Sequence, residues 1–290
     1  MSQTANAADT TGITHPRTHC AVDPDGRITF VLPPGTAADV PAPQLLLRLR
    51  PKKGQPENTL RVLDLRPGDD GRLNGVLEAE PALAEGRWDL YLLTDGAGPG
   101  APRHRLRPGL RDLRALVDGH TRERPSPVAV RVPYATKDGF LALRTWLRTA
   151  HAEITRMTAT DRSLTVHVWL HGAPLTESAT VRLRPRGGAG AARVLPARPD
   201  GDGDGGGQGF SFTVDYAELV TDGGGAPRVW DAFVKAESAG APVRISRLLD
   251  DVADRKGIFV YPTATVGGAT VRPYYTVDND LAVQVTPTAV

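Results

Sequence analysis

The chain has 290 residues, room for about two domains, with 35 lysines and arginines against 33 acidic residues and a single cysteine, Cys20. The near balance leaves no basic field for nucleic acid, and one cysteine excludes both an intramolecular disulfide and a cysteine-rich metal site. No window approaches the roughly 18 apolar residues of a membrane span, and the first residues lack the basic start and apolar run of a secretory signal.

These features set the expectation of a soluble, cytoplasmic protein without a cofactor. The excess of arginine over lysine, with abundant alanine, glycine and proline, matches high-GC actinobacterial coding. Residues 1–17 are small, polar and aperiodic, which predicts a disordered tail. From Arg27 short apolar alternations are separated by turn clusters. Ile28, Phe30 and Leu32 make the first, stopped by Pro33-Pro34-Gly35, since proline removes a ladder donor. Leu45–Arg50, Leu60–Leu65, Leu73–Glu78 and Trp88–Leu93 follow as strands. Leu110, Leu113, Leu116 and Val117 have helical spacing over few turns. Val128–Ala135 and Phe140–Trp146 flank Lys137-Asp138-Gly139, a hairpin signal because glycine accepts the positive φ of the turn.

The remainder repeats this order. Strands are expected at Leu164–His171, Ala179–Arg184, Arg193–Ala197, Phe210–Val214, Trp230–Ala236, Val243–Leu248, Gly257–Tyr261 and Val271–Val285. Four landmarks recur in sequence. Asp25–Leu32 returns at Asp161–Val168, an offset of 136, and the run from Leu46 (LLRLRPKKG) returns from Thr180 (TVRLRPRGG), an offset of 134. Trp88-Asp89 returns as Trp230-Asp231, an offset of 142, and the segment from Pro133 and Tyr134 to Leu141 returns from Pro273 and Tyr274 to Leu281, an offset of 140. Solenoid units run roughly 20–50 residues, so a period this long is a duplicated domain. The expected fold is all-β: two tandem, internally duplicated antiparallel β-sandwiches of immunoglobulin-like type, over 18–150 and 151–290.

Features present in both copies read as fold. Trp88 and Trp230 are expected to fill the cores, Tyr134 and Tyr274 to pack at strand ends, and Asp138 and Asp278 to shape turns. Positions where the copies differ are more informative. Strand Leu164–His171 puts Thr165, His167, Trp169 and His171 on the face opposite its apolar one, with Val31 and Pro33 standing at the first-copy positions of His167 and Trp169. That exposed His-x-Trp-x-His ridge suits stacking on a sugar or another flat ligand, or else burial against the other domain. At roughly 3.3 Å per residue His167 and His171 lie too far apart to share one metal. Tyr274 and Tyr275 make a second candidate patch. Asp200, Asp202 and Asp204 match the opening of a calcium loop, but Ser211 stands where its bidentate glutamate belongs, so an inserted loop is the stronger reading. Cys20 and the remaining histidines form no recognisable catalytic motif.

At WDLYLL, WDAFVK and VYPTATVGGATVRPYYTVDNDLAV the chain resembles the C-terminal β-sandwich accessory modules of actinobacterial glycosyltransferases and teichoic-acid-type glycerophosphotransferases, free-standing forms of which are labelled "transferase". The first copy departs from the pattern: Val132 and Ala135 replace Arg272 and Tyr275, and Gly139-Phe140 replace Asn279-Asp280. The resemblance implies binding of a glycan or cell-envelope polymer, and does not extend to transfer chemistry. The leading expectation is therefore a non-catalytic module that binds a carbohydrate or a partner enzyme. Its rivals are a small-molecule cyclase or transferase with a site between the sandwiches, and an assembly protein pairing through its edge strands.

Overall fold

The computed structural model describes residues 15–37, 40, 42–57, 59–94, 102–188, 190–200, 208–221, 226–236 and 240–288. The first copy holds β1 (Arg17–Val22), β2 (Ile28–Leu32), β3 (Gln44–Leu49), β4 (Leu60–Asp64), β5 (Arg66–Pro67), β6 (Leu73–Leu77) and β7 (Gly86–Leu93). It continues through β8 (Arg103–Arg105), β9 (Arg107–Asp112), the single turn α1 (Arg114–Asp118), β10 (Val128–Ala135) and β11 (Leu141–Arg148). The second copy holds β12 (His151–Ala159), β13 (Ser163–His171), β14 (Thr180–Pro185), β15 (Arg193–Pro196), β16 (Arg198–Pro199) and β17 (Gly209–Asp215). After α2 (Tyr216–Val220) come β18 (Arg228–Lys235), β19 (Val243–Ser246), β20 (Ala264–Val266), β21 (Ala269–Tyr275) and β22 (Leu281–Pro287).

The duplication is written in the strand order. In the first copy one sheet runs β5-β6-β2-β1-β9 and the other β10-β11-β7-β3-β4. The second copy repeats them strand for strand as β16-β17-β13-β12-β19 and β21-β22-β18-β14-β15. Here β19 bonds to both β12 and β18 and joins the two layers into one continuous sheet. One pairing in each copy, β1 with β9 and β12 with β19, is parallel. In each case the chain has crossed through the other layer before returning, as a parallel pair requires.

The chain divides into two compact units. One comprises Met1–Pro81, Gly86–Leu113 and Pro133–Arg144, the other Ala82–Glu85, Arg114–Val132 and Thr145–Val290. Each is filled by the period-2 alternation of its strands. Ile28, Phe30, Leu32, Trp88, Leu90 and Leu92 are buried in the first unit. In the second, Leu164, Val166, Val168 and Leu170 of β13 share a core with Val181, Leu183, Trp230, Ala232, Val283 and Val285. Both tryptophans are core filling.

Several expectations are corrected. The register of β3 on β7 pairs Leu49 with Trp88, and that of β14 on β18 pairs Pro185 with Trp230, an offset of 136 rather than 134. Sequence matching had slipped the strand by two, a shift that leaves every side chain on its own face. The insertion in the second copy does lie where it was expected, between β16 and β17: Pro199 and Phe210 are 11 apart where Pro67 and Leu73 are 6 apart. Leu110, expected in a helix, lies in β9 and is 77% exposed, because pairing with β1 overrides a spacing too short to nucleate. Gly257–Tyr261 forms no strand, since Ile258 and Phe259 both donate their N–H to the Arg255 carbonyl. β1 begins at Arg17, inside the stretch expected to be tail.

Threonine hydroxyls shape the hairpin turns. Thr136 Oγ1 accepts from Phe140 N at 3.1 Å, and Thr276 Oγ1 accepts from Asp278 N and Asp280 N, each at 3.2 Å. The residue three positions after the threonine is left-handed in both copies, Gly139 at φ 76° and Asn279 at φ 61°. Glycine and asparagine are the residues that enter this region at least cost.

Candidate functional site

Pairing of β13 with β12 and β17 builds a three-stranded polar face in register. One tier is Thr158, Thr165 and Thr213, the next Arg156, His167 and Ser211, the third Glu153, Trp169 and Gly209. Thr165 and Thr213 hydroxyls meet at 2.9 Å, and His167 Nδ1 lies 3.3 Å from a carboxylate oxygen of Asp200. The His167 and Asp200 side chains are 35% and 39% exposed, so this pair is solvated and contributes little to stability.

Trp169 is half-buried. Its benzenoid ring lies over Gly209, where a Cβ would sit 3.5 Å from the ring and 3.6 Å from the Asp200 Cβ. Trp169, His167 and Asp200 therefore converge around a position that carries no side chain. The indole Nε1 has no hydrogen-bond partner among the described residues. An aromatic surface, an imidazole, a carboxylate and a row of hydroxyls are groups that stack on and hydrogen-bond to a hydroxylated ring.

The ridge ends earlier than expected. His171 is 2% exposed, because its cross-strand partner His151 lies parallel to it, centroids 6.3 Å apart. His151 Nε2 contacts Glu153 at 2.6 Å, and the Glu153 carboxylate also accepts from Leu248 N at 2.7 Å and Leu249 N at 3.2 Å. Burial pushes the His171 pKa down to about 4, with His151 and Arg124 adding to the effect. Burial likewise lowers the Arg124 guanidinium, against the pull of Glu153. His151, Glu153 and Arg124 were missed in the sequence. The available signal was the alternation of His151 and Glu153 on one strand face, over a stretch not read as a strand.

Tyr274 and Tyr275 belong elsewhere. Tyr275 is fully buried among Phe259 and Tyr261 and presents no contact surface, while half-buried Tyr274 stands beside Arg186. Asp200 N donates to Gly209 O at 3.0 Å, closing the inserted loop, and Asp202 and Asp204 lie outside the described residues. Cys20 sits buried in β1, its thiol pushed up to about 12 by desolvation, although Arg111 pulls the other way. That thiol is no nucleophile at neutral pH.

The repeated aspartates anchor a duplicated arginine node. Asp89 accepts from Arg50 at 2.7 Å and Arg105 at 3.1 Å, and Asp231 from Arg186 at 2.7 Å and Arg244 at 2.6 Å. In the corrected register these are equivalent residues. The neighbouring arginine stacks on the neighbouring aromatic in both copies, Arg48 on Tyr91 and Arg184 on Phe233. A constellation present in both copies, linking the same strands, is structural.

Fold and face together define a duplicated β-sandwich protein whose second copy carries an aromatic and hydroxyl-rich surface on β13. No protein-family model matches the chain, and no curated protein does. Among solved structures it is similar to TarS of S. aureus, at 10% identity over 72% of this chain and 29% of that one, with a TM-score of 0.36. A second structure, of TarS 217-571, is 11% identical over 70% of this chain and 45% of the other, with a TM-score of 0.37. The chain spans less than half the length of either.

Proposed function

We propose that the protein is a non-catalytic binding module whose β13 face takes a carbohydrate of the cell envelope. The observation that carries this reading is the convergence of Trp169, His167 and Asp200 around Gly209, a group of side chains the first copy lacks. There Val31 and Pro33 occupy the equivalent places, so duplication supplied the scaffold and divergence the contacts. The resemblance of WDAFVK and VYPTATVGGATVRPYYTVDNDLAV to accessory modules of envelope-polymer enzymes supports the same ligand class. Stacking would hold one face of a sugar ring, while His167 and the threonine hydroxyls meet its hydroxyl groups.

The test is calorimetric titration of the full chain with envelope-derived oligosaccharides. Trp169→Ala should weaken binding at least about tenfold, or about 1.4 kcal/mol, with an unchanged circular dichroism spectrum. Equal affinity in the folded variant would remove this face from the interaction.

A further inference from the structure

The sheet β21-β22-β18-β14-β15 presents a cationic outer face, wholly within the second unit. Val181 and Leu183 of β14 and Val283 of β22 point into the core. Their strand neighbours therefore line the opposite side in tiers: Arg182 beside Phe233, then Arg184, Asp231 and Tyr274, then Gln284 beside Arg272. In the first copy Leu46 and Val132 stand in the places of Arg182 and Arg272 and are 2% and 0% exposed, and Leu93, 1% exposed, stands in that of Lys235. A covered apolar strip in one copy is thus a solvent-facing set of cations in the other. We propose that this face docks an acidic protein segment in extended conformation, with carboxylates at alternate residues.

Arg182 and Arg184 occupy alternate positions of β14, and Arg186 takes the next such position beyond its end. Successive cations are therefore about 6.6 Å apart, the pitch at which an extended peptide repeats the residues of one side. Arg186 is held by Asp231, but Arg182 and Arg184 meet no carboxylate among the described residues. Arg184 lies over the Phe233 ring, and Arg182 Nε has no hydrogen-bond partner there. Arg272 is exposed and donates to the amide oxygen of Gln284 at 3.3 Å. The stretches flanking β18 outside the described residues hold two acids, Asp222 and Glu237, fewer than Arg182, Arg184, Lys235 and Arg272. Guanidiniums grip carboxylates through paired hydrogen bonds, and arginine clusters are a recurrent means of recognising acidic segments. A net charge of only +2 gives no long-range field for nucleic acid or an anionic membrane, which favours short-range recognition of a peptide. The β13 face lies on the other layer and shares no residue with this one, so the two proposals fail or succeed separately.

The probe is a fluorescent peptide of alternating glutamate and threonine, about ten residues long, titrated into the full chain and followed by its anisotropy. Saturable binding is expected. Arg182→Gln and Arg272→Gln should each weaken it about threefold, and together about tenfold, with an unchanged melting temperature. A peptide of the same composition with its glutamates in one block should bind about threefold more weakly. Absence of saturable binding would overturn the face, as would binding that the double variant leaves unaltered. Equal affinity for the block peptide would overturn the alternate spacing, and tighter binding of oligothymidylate would overturn the peptide class. The chain itself carries the alternate pattern in Asp200-Gly201-Asp202-Gly203-Asp204. Self-association in sedimentation that is lost in Asp202→Asn and Asp204→Asn would overturn an outside partner in favour of another molecule of this chain.

Discussion

His171 shows how one residue's role depends on its neighbours across the ladder. The sequence puts it on the same face as Trp169, but His151, opposite it on β12, and Arg124 enclose it. An unfolded imidazole takes its proton near 6.5, and in the fold protonation waits until about 4. Between those values the unfolded state binds more protons. Stability should therefore be full above pH 6.5 and fall as the pH drops towards 4, by about 1–3 kcal/mol. Urea midpoints at pH 7 and pH 5 measure it, and His171→Leu should flatten the dependence. Equal midpoints in the native protein would contradict the buried placement. Asn279 illustrates what residue-level reading captures. Its alignment with Gly139 marks a left-handed turn position, but not the buried bonds its amide makes, accepting from Arg255 N and donating to Val252 O, each at 3.0 Å.

Among the elements, alternation was legible wherever one face is wholly apolar, as in β2, β13 and β18. It failed for β12, whose polar face carries His151, Glu153, Arg156 and Thr158, and for β9, where lateral pairing decides the conformation. It also failed at α2, where Asp215 Oδ1 accepts from Ala217 N at 2.9 Å and caps a single turn. The Asp–Arg nodes are element-level devices: each ties the outer face of β7 or β18 to the strands on both sides. Desolvation opposes the charge of Asp231, yet the bonds from Arg186 and Arg244 outweigh it and lower its pKa. That stabilisation is present at neutral pH and is lost as the pH falls through the lowered value, below about 3.8. Replacing Asp89 by asparagine should cost about 3 kcal/mol, since three arginines face a carboxylate only 5% exposed. Asp231→Asn should cost less, about 1–2 kcal/mol, because Arg186 is half exposed. Chemical denaturation of the two variants compares them, and a larger loss at Asp231 would contradict the assignment.

For the molecule as a whole, the duplication was visible in four landmarks because core tryptophans, turn residues and node aspartates change slowly in kind when a domain is copied. The joining of the second copy's layers through β19 was not visible, since it depends on hydrogen bonds between strands distant in sequence. The candidate site was half legible. Trp169 and His167 were singled out because the first copy has no counterpart, and Asp200 joins them only through the pairing of β16 with β17. What the copies share is scaffold, and what the second copy adds is the proposed binding face.

Four tryptophans, Trp88, Trp146, Trp169 and Trp230, provide a direct test of that division. In a nitrogen-edited spectrum of the full chain they give separate indole signals, assigned by Trp169→Phe. Titration with envelope oligosaccharides should move the Trp169 signal and leave the three core signals in place. No movement of the Trp169 signal with any of them, or movement confined to the core signals, would contradict a binding face on β13.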